Sequence, residues 1–118
     1  MLKVAVLILA GTESHESLAR LVNALEAARE CHRAGDQVLL IFDGAATAWL
    51  PRLADPGERL HPLYRELRER VAGACAYCAR AFGVEEAVRA CGIPLLAESE
   101  GHPSLRRLLE EGYQVLSF

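Results

Sequence analysis

Residues 3–9 read KVAVLIL, an apolar run behind a single lysine, and Gly11 follows shortly afterwards. A run without polar alternation is typical of a strand covered on both faces, as in the centre of a parallel sheet. From Ser17 to about Ala34, apolar residues recur at helical spacing with charged residues on the opposite side. A second apolar run, residues 37–42, leads directly into Asp43. The opening of the chain therefore predicts strand, helix and strand, which is one βαβ unit.

The rest of the sequence continues this alternation of helices and strands. Helices are predicted at residues 45–53, 62–70, 78–83, 84–91 and 103–111, and strands at residues 71–75, 93–96 and 113–118. We therefore expect a single α/β domain over residues 1–118. Its five-stranded, mostly parallel sheet should have helices on both faces, in a three-layer arrangement of the flavodoxin or Rossmann type.

Composition and charge exclude several classes of protein. The chain has 118 residues, 52% hydrophobic and 25% charged, which is ordinary for one globular domain and too apolar for a disordered chain. Its net charge of -3 disfavours nucleic-acid binding, which depends on neutralising phosphates. The longest apolar run is too short to cross a bilayer, and no signal peptide is recognisable. We expect a cytoplasmic protein without a membrane or nucleic-acid partner.

Four cysteines stand out in a chain expected to be cytoplasmic: Cys31, Cys75, Cys78 and Cys91. Thiols there are reduced, so catalytic, redox or metal-binding roles come into consideration. Cys75 falls at the end of a predicted strand and directly before a helix, where backbone N–H groups and the helix dipole should lower the thiol pKa. The plainer interpretation is that Cys75 is a small core residue. For Cys31 and Cys91 we expect packing roles only.

The spacing from Cys75 to Cys78 is a C-x-x-C pattern, typical of a dithiol redox pair or of half a zinc site. No second C-x-x-C pattern and no closely spaced histidine pair completes a zinc set, so we expect no metal site. The loop from Gly11 to Ser17 is rich in hydroxyl groups, yet it carries two glutamates and no G-x-G-x-x-G or Walker pattern. N-capping by Thr12 or Ser14 is the simpler role for that loop, and we expect no cofactor.

Chemistry should collect where the parallel strands end. The loop at Gly11–His15, the Asp43-Gly44 pair, the Cys75–Cys78 segment and the loop at Glu98–His102 should all lie at that edge. His15 and His102 are candidates to supply a proton or stabilise a thiolate, although loop histidines are often plain surface residues.

Two other features admit more than one interpretation. Arg106 and Arg107 lie early in the last predicted helix, against the preference of the helix dipole, and form either an anion site or ordinary surface pairs. Trp49 is a core residue, a pocket wall or a subunit contact.

The whole chain resembles the DsrE/DsrF-like family, which includes TusD-type sulfur-relay proteins. The resemblance rests on the opening strand at residues 3–8, the strand and turn at 38–44, the VAGAC strand at 71–75, the segment 79–84 and the closing GYQVL at 112–116. It implies a DsrE-like α/β domain that assembles into trimers or hexamers, or with companion subunits. It also implies persulfide chemistry on one cysteine, which Cys75 matches. Cys78 is a thiol that this relay chemistry does not require.

The leading hypothesis is a sulfurtransferase-like relay in which Cys75 holds sulfane sulfur between a donor and an acceptor protein, with Cys78 as an accessory thiol. A thiol-disulfide redox role for the Cys75 and Cys78 pair is the first alternative. A non-enzymatic oligomeric binding module is the second.

Overall fold

Five parallel strands form one sheet in the computed structural model, which describes residues 1–118. The strands are β1 (Lys3–Ile8), β2 (Gln37–Phe42), β3 (Val71–Cys75), β4 (Leu95–Leu96) and β5 (Gln114–Ser117). Their order across the sheet is β4-β3-β2-β1-β5. The strands that carry the longest apolar runs, β1 and β2, therefore lie inside the sheet, paired over six residues each.

Six α-helices connect the strands: α1 (His15–Arg33), α2 (Trp49–Leu53), α3 (His61–Leu67), α4 (Ala76–Ala81), α5 (Glu85–Ala90) and α6 (Leu105–Glu110). Short 3₁₀ segments at Gly44–Ala48 and Arg68–Arg70 precede α2 and follow α3. The Ser14 side chain caps α1 by accepting a hydrogen bond from the Ser17 N–H, so the capping role predicted for this loop is confirmed.

The two faces of the sheet are covered unequally. A core of 20 buried residues joins one face to α1, α2, α3 and α5. On the other face, a cluster of only four buried residues contains Leu108 from α6, and strand residues such as Leu39 and Val115 are half-buried. The predicted α/β fold with helices on both faces is confirmed, with α6 as the only helix in the second cluster.

Gly73 allows β3 and β4 to approach closely. A Cβ atom at this position would lie 2.7 Å from both the Pro94 carbonyl oxygen and the Leu96 Cγ. The Ala74 N–H donates to that same carbonyl at 2.9 Å. The close approach fixes the end of β3 beside the end of β4, where the site described below is built.

The structure differs from the predicted elements mainly at their ends. The strand predicted at residues 93–96 is reduced to Leu95–Leu96. Pro94 has no N–H and cannot donate to a neighbouring strand, which shortens the strand. The helix predicted from Cys78 begins two residues earlier, at Ala76, so that Cys75 is its N-cap residue.

No helix combines the length and the apolar composition that crossing a membrane requires.

Candidate functional site

Three neighbouring strands bring polar and sulfur-bearing side chains together at their carboxyl ends. Asp43 directly follows β2, Cys75 ends β3, and His102 lies in the turn after β4. Cys78 joins them from the first turn of α4. One ligand atom from each of these four residues lies within 4.8 Å of the others. The predicted convergence of the Asp43, Cys75–Cys78 and His102 segments at one edge is therefore confirmed.

Cys75 is the centre of this cluster. The residue is fully buried, and its extended backbone, with φ of −60° and ψ of 120°, places the side chain at the start of α4. Its Sγ accepts a hydrogen bond from the Cys78 N–H at 3.3 Å. The same sulfur lies 3.3 Å from Nδ1 of His102 and 3.9 Å from the Gly101 carbonyl oxygen. The thiol thus has a backbone donor on one side and an imidazole nitrogen on another.

Cys78 and Asp43 form the second pair of the cluster. The Cys78 thiol donates to Oδ1 of Asp43 at 3.3 Å. That oxygen also accepts a hydrogen bond from the Gly44 N–H at 2.8 Å, because Asp43 caps the 3₁₀ segment that follows β2. The carboxylate is therefore fixed by its own turn before any ligand arrives, and both residues are only half-buried.

The turn from Ser99 to His102 holds the histidine over Cys75. Its two end residues exchange backbone hydrogen bonds of 2.8 Å. Glu100 adopts a left-handed φ of 52° between them, a conformation that residues other than glycine seldom take. The ring of Tyr77 lies 4.7 Å from the His102 ring, and the Tyr77 N–H donates to the Gly101 carbonyl. Both contacts come from α4, so the helix that Cys75 caps also positions the imidazole.

The pKa of Cys75 is raised, not lowered as the sequence predicted. Burial of the thiol is the largest cause, and the nearby Asp43 charge and the Cys78 thiol act in the same direction. The Cys78 N–H favours the thiolate but offsets only part of this effect, and the pKa of Cys75 rises to about 12. The prediction was wrong because it counted only the start of the helix. The cost of burying a charge depends on the surrounding fold.

The other sequence-predicted candidates lie apart from this cluster or have structural roles. His15 begins α1 and lines a cavity of about 520 Å³ together with Arg52 and Arg59. Cys31 and Cys91 pack against the main core, as predicted, and burial raises the pKa of each thiol.

Arg106, Arg107 and Trp49 have structural roles away from the cluster. Arg106 and Arg107 form exposed ion pairs with Glu110 and Glu111, which is the plainer of the two interpretations. Trp49 is buried, and its Nε1 donates to the Gly11 carbonyl at 2.8 Å, so it fastens the loop after β1.

The sequence places Asp43 at this edge but gives it no role, offers His102 only as one of two candidate histidines, and does not single out Tyr77. The available signal was position, because Asp43 follows β2 and His102 follows β4, the two strands that pair with β3. Tyr77, inside the C-x-x-C segment, carried no signal of its own. The arrangement defines an α/β protein with a buried cysteine and a half-buried histidine paired at the carboxyl edge of its sheet.

Comparison with known proteins gives the family. The sequence pattern of the DsrE/DsrF-like family matches residues 3–118, so the chain belongs to this family. A relative from Methanocaldococcus jannaschii, uncharacterized protein MJ0733, is 27% identical over 116 residues, covering 98% of this chain and 94% of the relative.

A solved structure has the same fold. The conserved protein of unknown function BT1422 from Bacteroides thetaiotaomicron aligns with a TM-score of 0.62 and 19% identity, over 97% of this chain and 94% of that one. The family supports a sulfur-relay type of role in general terms.

Proposed function

We propose that this protein is a sulfur carrier that holds sulfane sulfur as a persulfide on Cys75 and passes it to a thiol of a partner protein. One observation carries the proposal: the Cys75 Sγ lies 3.3 Å from His102 Nδ1 and accepts a hydrogen bond from the Cys78 N–H. The imidazole provides a proton acceptor for the thiol, and the N–H stabilises negative charge on the sulfur.

The transfer step follows from these contacts. Nδ1 of His102 takes the thiol proton, and the Cys75 thiolate attacks the outer sulfur of a donor persulfide. The new S–S bond forms on Cys75 while the S–S bond of the donor breaks, and the departing donor thiolate takes the proton back. A thiol and a persulfide enter, and a persulfide and a thiol leave, so the step needs no separate oxidant or reductant.

Cys78 supports a second candidate function, a thiol-disulfide redox role. Its thiol lies in the same four-residue cluster as Cys75, within 4.8 Å. Attack of Cys78 on Sγ of a Cys75 persulfide would release hydrogen sulfide and leave a Cys75–Cys78 disulfide. The carrier function requires only Cys75, whereas the redox function requires both thiols.

Mass spectrometry of the reduced protein after incubation with inorganic polysulfide distinguishes these functions. We expect the mass of one added sulfur atom on Cys75 in the native chain and in Cys78→Ser, and none in Cys75→Ser. Both cysteines lie on one tryptic peptide, VAGACAYCAR (residues 71–80), so fragment ions must locate the sulfur. The matched control is Cys91→Ser, which changes a thiol packed against the main core.

Two results contradict the carrier function. One is sulfur that is distributed equally over all four cysteines. The other is the absence of a persulfide on Cys75 in both the native chain and Cys78→Ser, whether or not a Cys75–Cys78 disulfide forms in the native chain.

The expected partners are a sulfur donor, a sulfur acceptor and further DsrE-like chains, in a cytoplasmic setting. The thinly covered second face of the sheet supports assembly with copies of this chain or with companion subunits. Leu105 and Leu109, four residues apart on α6, are exposed. Apolar side chains grouped in this way are typical of subunit interfaces. Light scattering should report a trimer or hexamer that Leu109→Glu weakens, and a monomer for the native chain alone would point to companion subunits.

A further inference from the structure

We propose that Asp43, Cys75, Cys78 and His102 together form a four-ligand zinc site, and that zinc bound there blocks Cys75. The inference deepens the proposed function by giving the same cysteine a regulated state. Zinc binding requires Cys78 and Asp43, whereas sulfur carriage does not require either residue. The sequence predicted no metal site because only Cys75 and Cys78 are close together along the chain. The fold adds two further ligands, Asp43 and His102, from loops that are distant in sequence.

The donor set suits Zn²⁺. Two sulfurs, one imidazole nitrogen and one carboxylate oxygen are the ligand types that zinc takes in proteins, and four of them make a closed tetrahedral site. With zinc bonds of about 2.0–2.3 Å, neighbouring ligand atoms of a tetrahedron lie roughly 3.3–3.8 Å apart. Cys75 Sγ and His102 Nδ1 are separated by 3.3 Å, and so are Cys78 Sγ and Asp43 Oδ1. All four ligand atoms lie within 4.8 Å of one another.

The surrounding contacts orient the ligands. The Gly44 N–H fixes the Asp43 carboxylate through Oδ1. The Tyr77 ring, 4.7 Å from the His102 ring, helps to hold the plane of the imidazole. Such supporting contacts are typical of metal sites, where they orient the ligands. Asp43, Cys78 and His102 are half-buried rather than buried, which leaves a side from which an ion can enter.

Zinc and sulfane sulfur exclude each other at this site. When Zn²⁺ binds, both thiols lose their protons to solvent and their sulfurs become ligands. The Cys75 sulfur electron pair that would attack a donor persulfide is then held by the metal. Zinc should therefore suppress persulfide formation on Cys75 in the native chain, and removal of zinc by a chelator should restore it.

Two measurements on the reduced, metal-free protein test the site. Zn²⁺ is titrated in competition with a chromophoric chelator, and Co²⁺ is added separately as a spectroscopic substitute. We expect one ion per chain, visible cobalt bands of the tetrahedral type and a thiolate-to-cobalt charge-transfer band. Cys78→Ser and His102→Gln should each weaken zinc binding by at least about tenfold, the scale on which even supporting residues act.

The matched control is the double variant Cys31→Ser/Cys91→Ser, which leaves the four ligands in place and should bind zinc like the native chain. Circular dichroism of each variant checks that it is folded. Either of two zinc-binding results would overturn the proposal: no stoichiometric uptake by the native chain, or uptake that Cys78→Ser leaves unchanged. A cobalt spectrum of six-coordinate type without a thiolate band would do the same.

The outcome is independent of the sulfur-carrier test. Persulfide formation is measured with chelator present, and metal binding is measured without any sulfur donor. A cobalt–thiolate spectrum without polysulfide labelling would reject the carrier function alone. Labelling of Cys75 without metal uptake would reject the zinc site alone.

Discussion

Nδ1 of His102 lies 3.3 Å from Sγ of Cys75, although 27 residues separate the two along the chain. The contact exists because β3 and β4 are neighbours, and the turn after β4 folds back over the end of β3. It places an imidazole nitrogen against a thiol whose pKa burial raises to about 12. The reactivity of Cys75 near neutral pH should therefore depend on this histidine.

His102→Gln should slow alkylation of Cys75 at pH 7 by about 100-fold, the lower end of the effect of a positioned base. Since the thiol pKa lies far above neutral, the remaining rate should increase about tenfold with each pH unit as thiolate accumulates. Peptide mass spectrometry after timed iodoacetamide pulses, with chelator present, measures this rate. His15→Gln is the control, and equal slowing in both variants would exclude a specific role for His102.

Asp43→Asn should change the rate in the opposite direction. The Asp43 charge raises the pKa of Cys75, so removing the charge lowers that pKa and increases the thiolate fraction at a given pH. We expect alkylation of Cys75 to be faster by up to about tenfold, the effect of one nearby charge. Asparagine keeps the side-chain oxygen that accepts from the Gly44 N–H.

Asp55→Asn is the matched control for this charge removal, because Asp55 likewise accepts a hydrogen bond from a glycine N–H in its own turn. A slower rate in Asp43→Asn with an unchanged control would contradict the assigned direction.

Tyr64→Phe should stabilise the fold. The Tyr64 hydroxyl is buried and has no hydrogen-bond partner among the protein's own groups, and burial raises its pKa. An unpaired buried polar group costs about 1–3 kcal/mol, and phenylalanine removes the group while keeping the ring. Urea unfolding should show a midpoint increase equivalent to about 1 kcal/mol.

The control for this change is Tyr113→Phe, which should alter the free energy of unfolding by less than about 0.5 kcal/mol. The Tyr113 ring lies against the Lys3 ammonium, a contact that phenylalanine retains. A clear loss of stability in Tyr64→Phe would mean that the hydroxyl has a partner such as a bound water molecule.

Gly73→Ala should destabilise the end of β3. The added Cβ would meet the Pro94 carbonyl oxygen at 2.7 Å, and backbone on an adjoining segment cannot move aside like the end of a side chain. Overpacking of this kind costs about 1–3 kcal/mol. The free energy of unfolding measures it, and Gly57→Ala, where an added Cβ would meet nothing closer than 3.5 Å, is the control. Equal effects in the two variants would contradict the role of Gly73.

Much of the fold could be predicted because its signals are local. The apolar runs of β1, β2 and β3 mark strands wherever they pack, and the parallel alternation places their ends at one edge. The position of Cys75 at that edge follows from the same pattern. By contrast, β4 is two residues long, and its pairing depends on the Gly73 approach, which no local signal encodes.

The position of the candidate site could be predicted from the sequence, but the surroundings of the Cys75 thiol could not. The approach of His102 depends on a turn in which Glu100 has a left-handed φ, a conformation chosen by tertiary contacts rather than by residue type. The direction of the Cys75 pKa shift depends on how deeply the fold buries the sulfur. Both are long-range properties, so periodicity and spacing alone could not give them.

The complete burial of Cys75 limits which molecules can exchange sulfur with it. A sulfur with no exposed surface cannot meet a bulky donor until part of its cover moves. The cover is the short Ser99–His102 turn, held by its own backbone hydrogen bonds and by α4. Small reagents such as inorganic polysulfide or iodoacetamide should react with Cys75 only while the turn is open, whereas a docking protein displaces the turn as it binds. In the proposed carrier, burial acts as a filter that favours transfer between proteins over leakage to the surrounding solution.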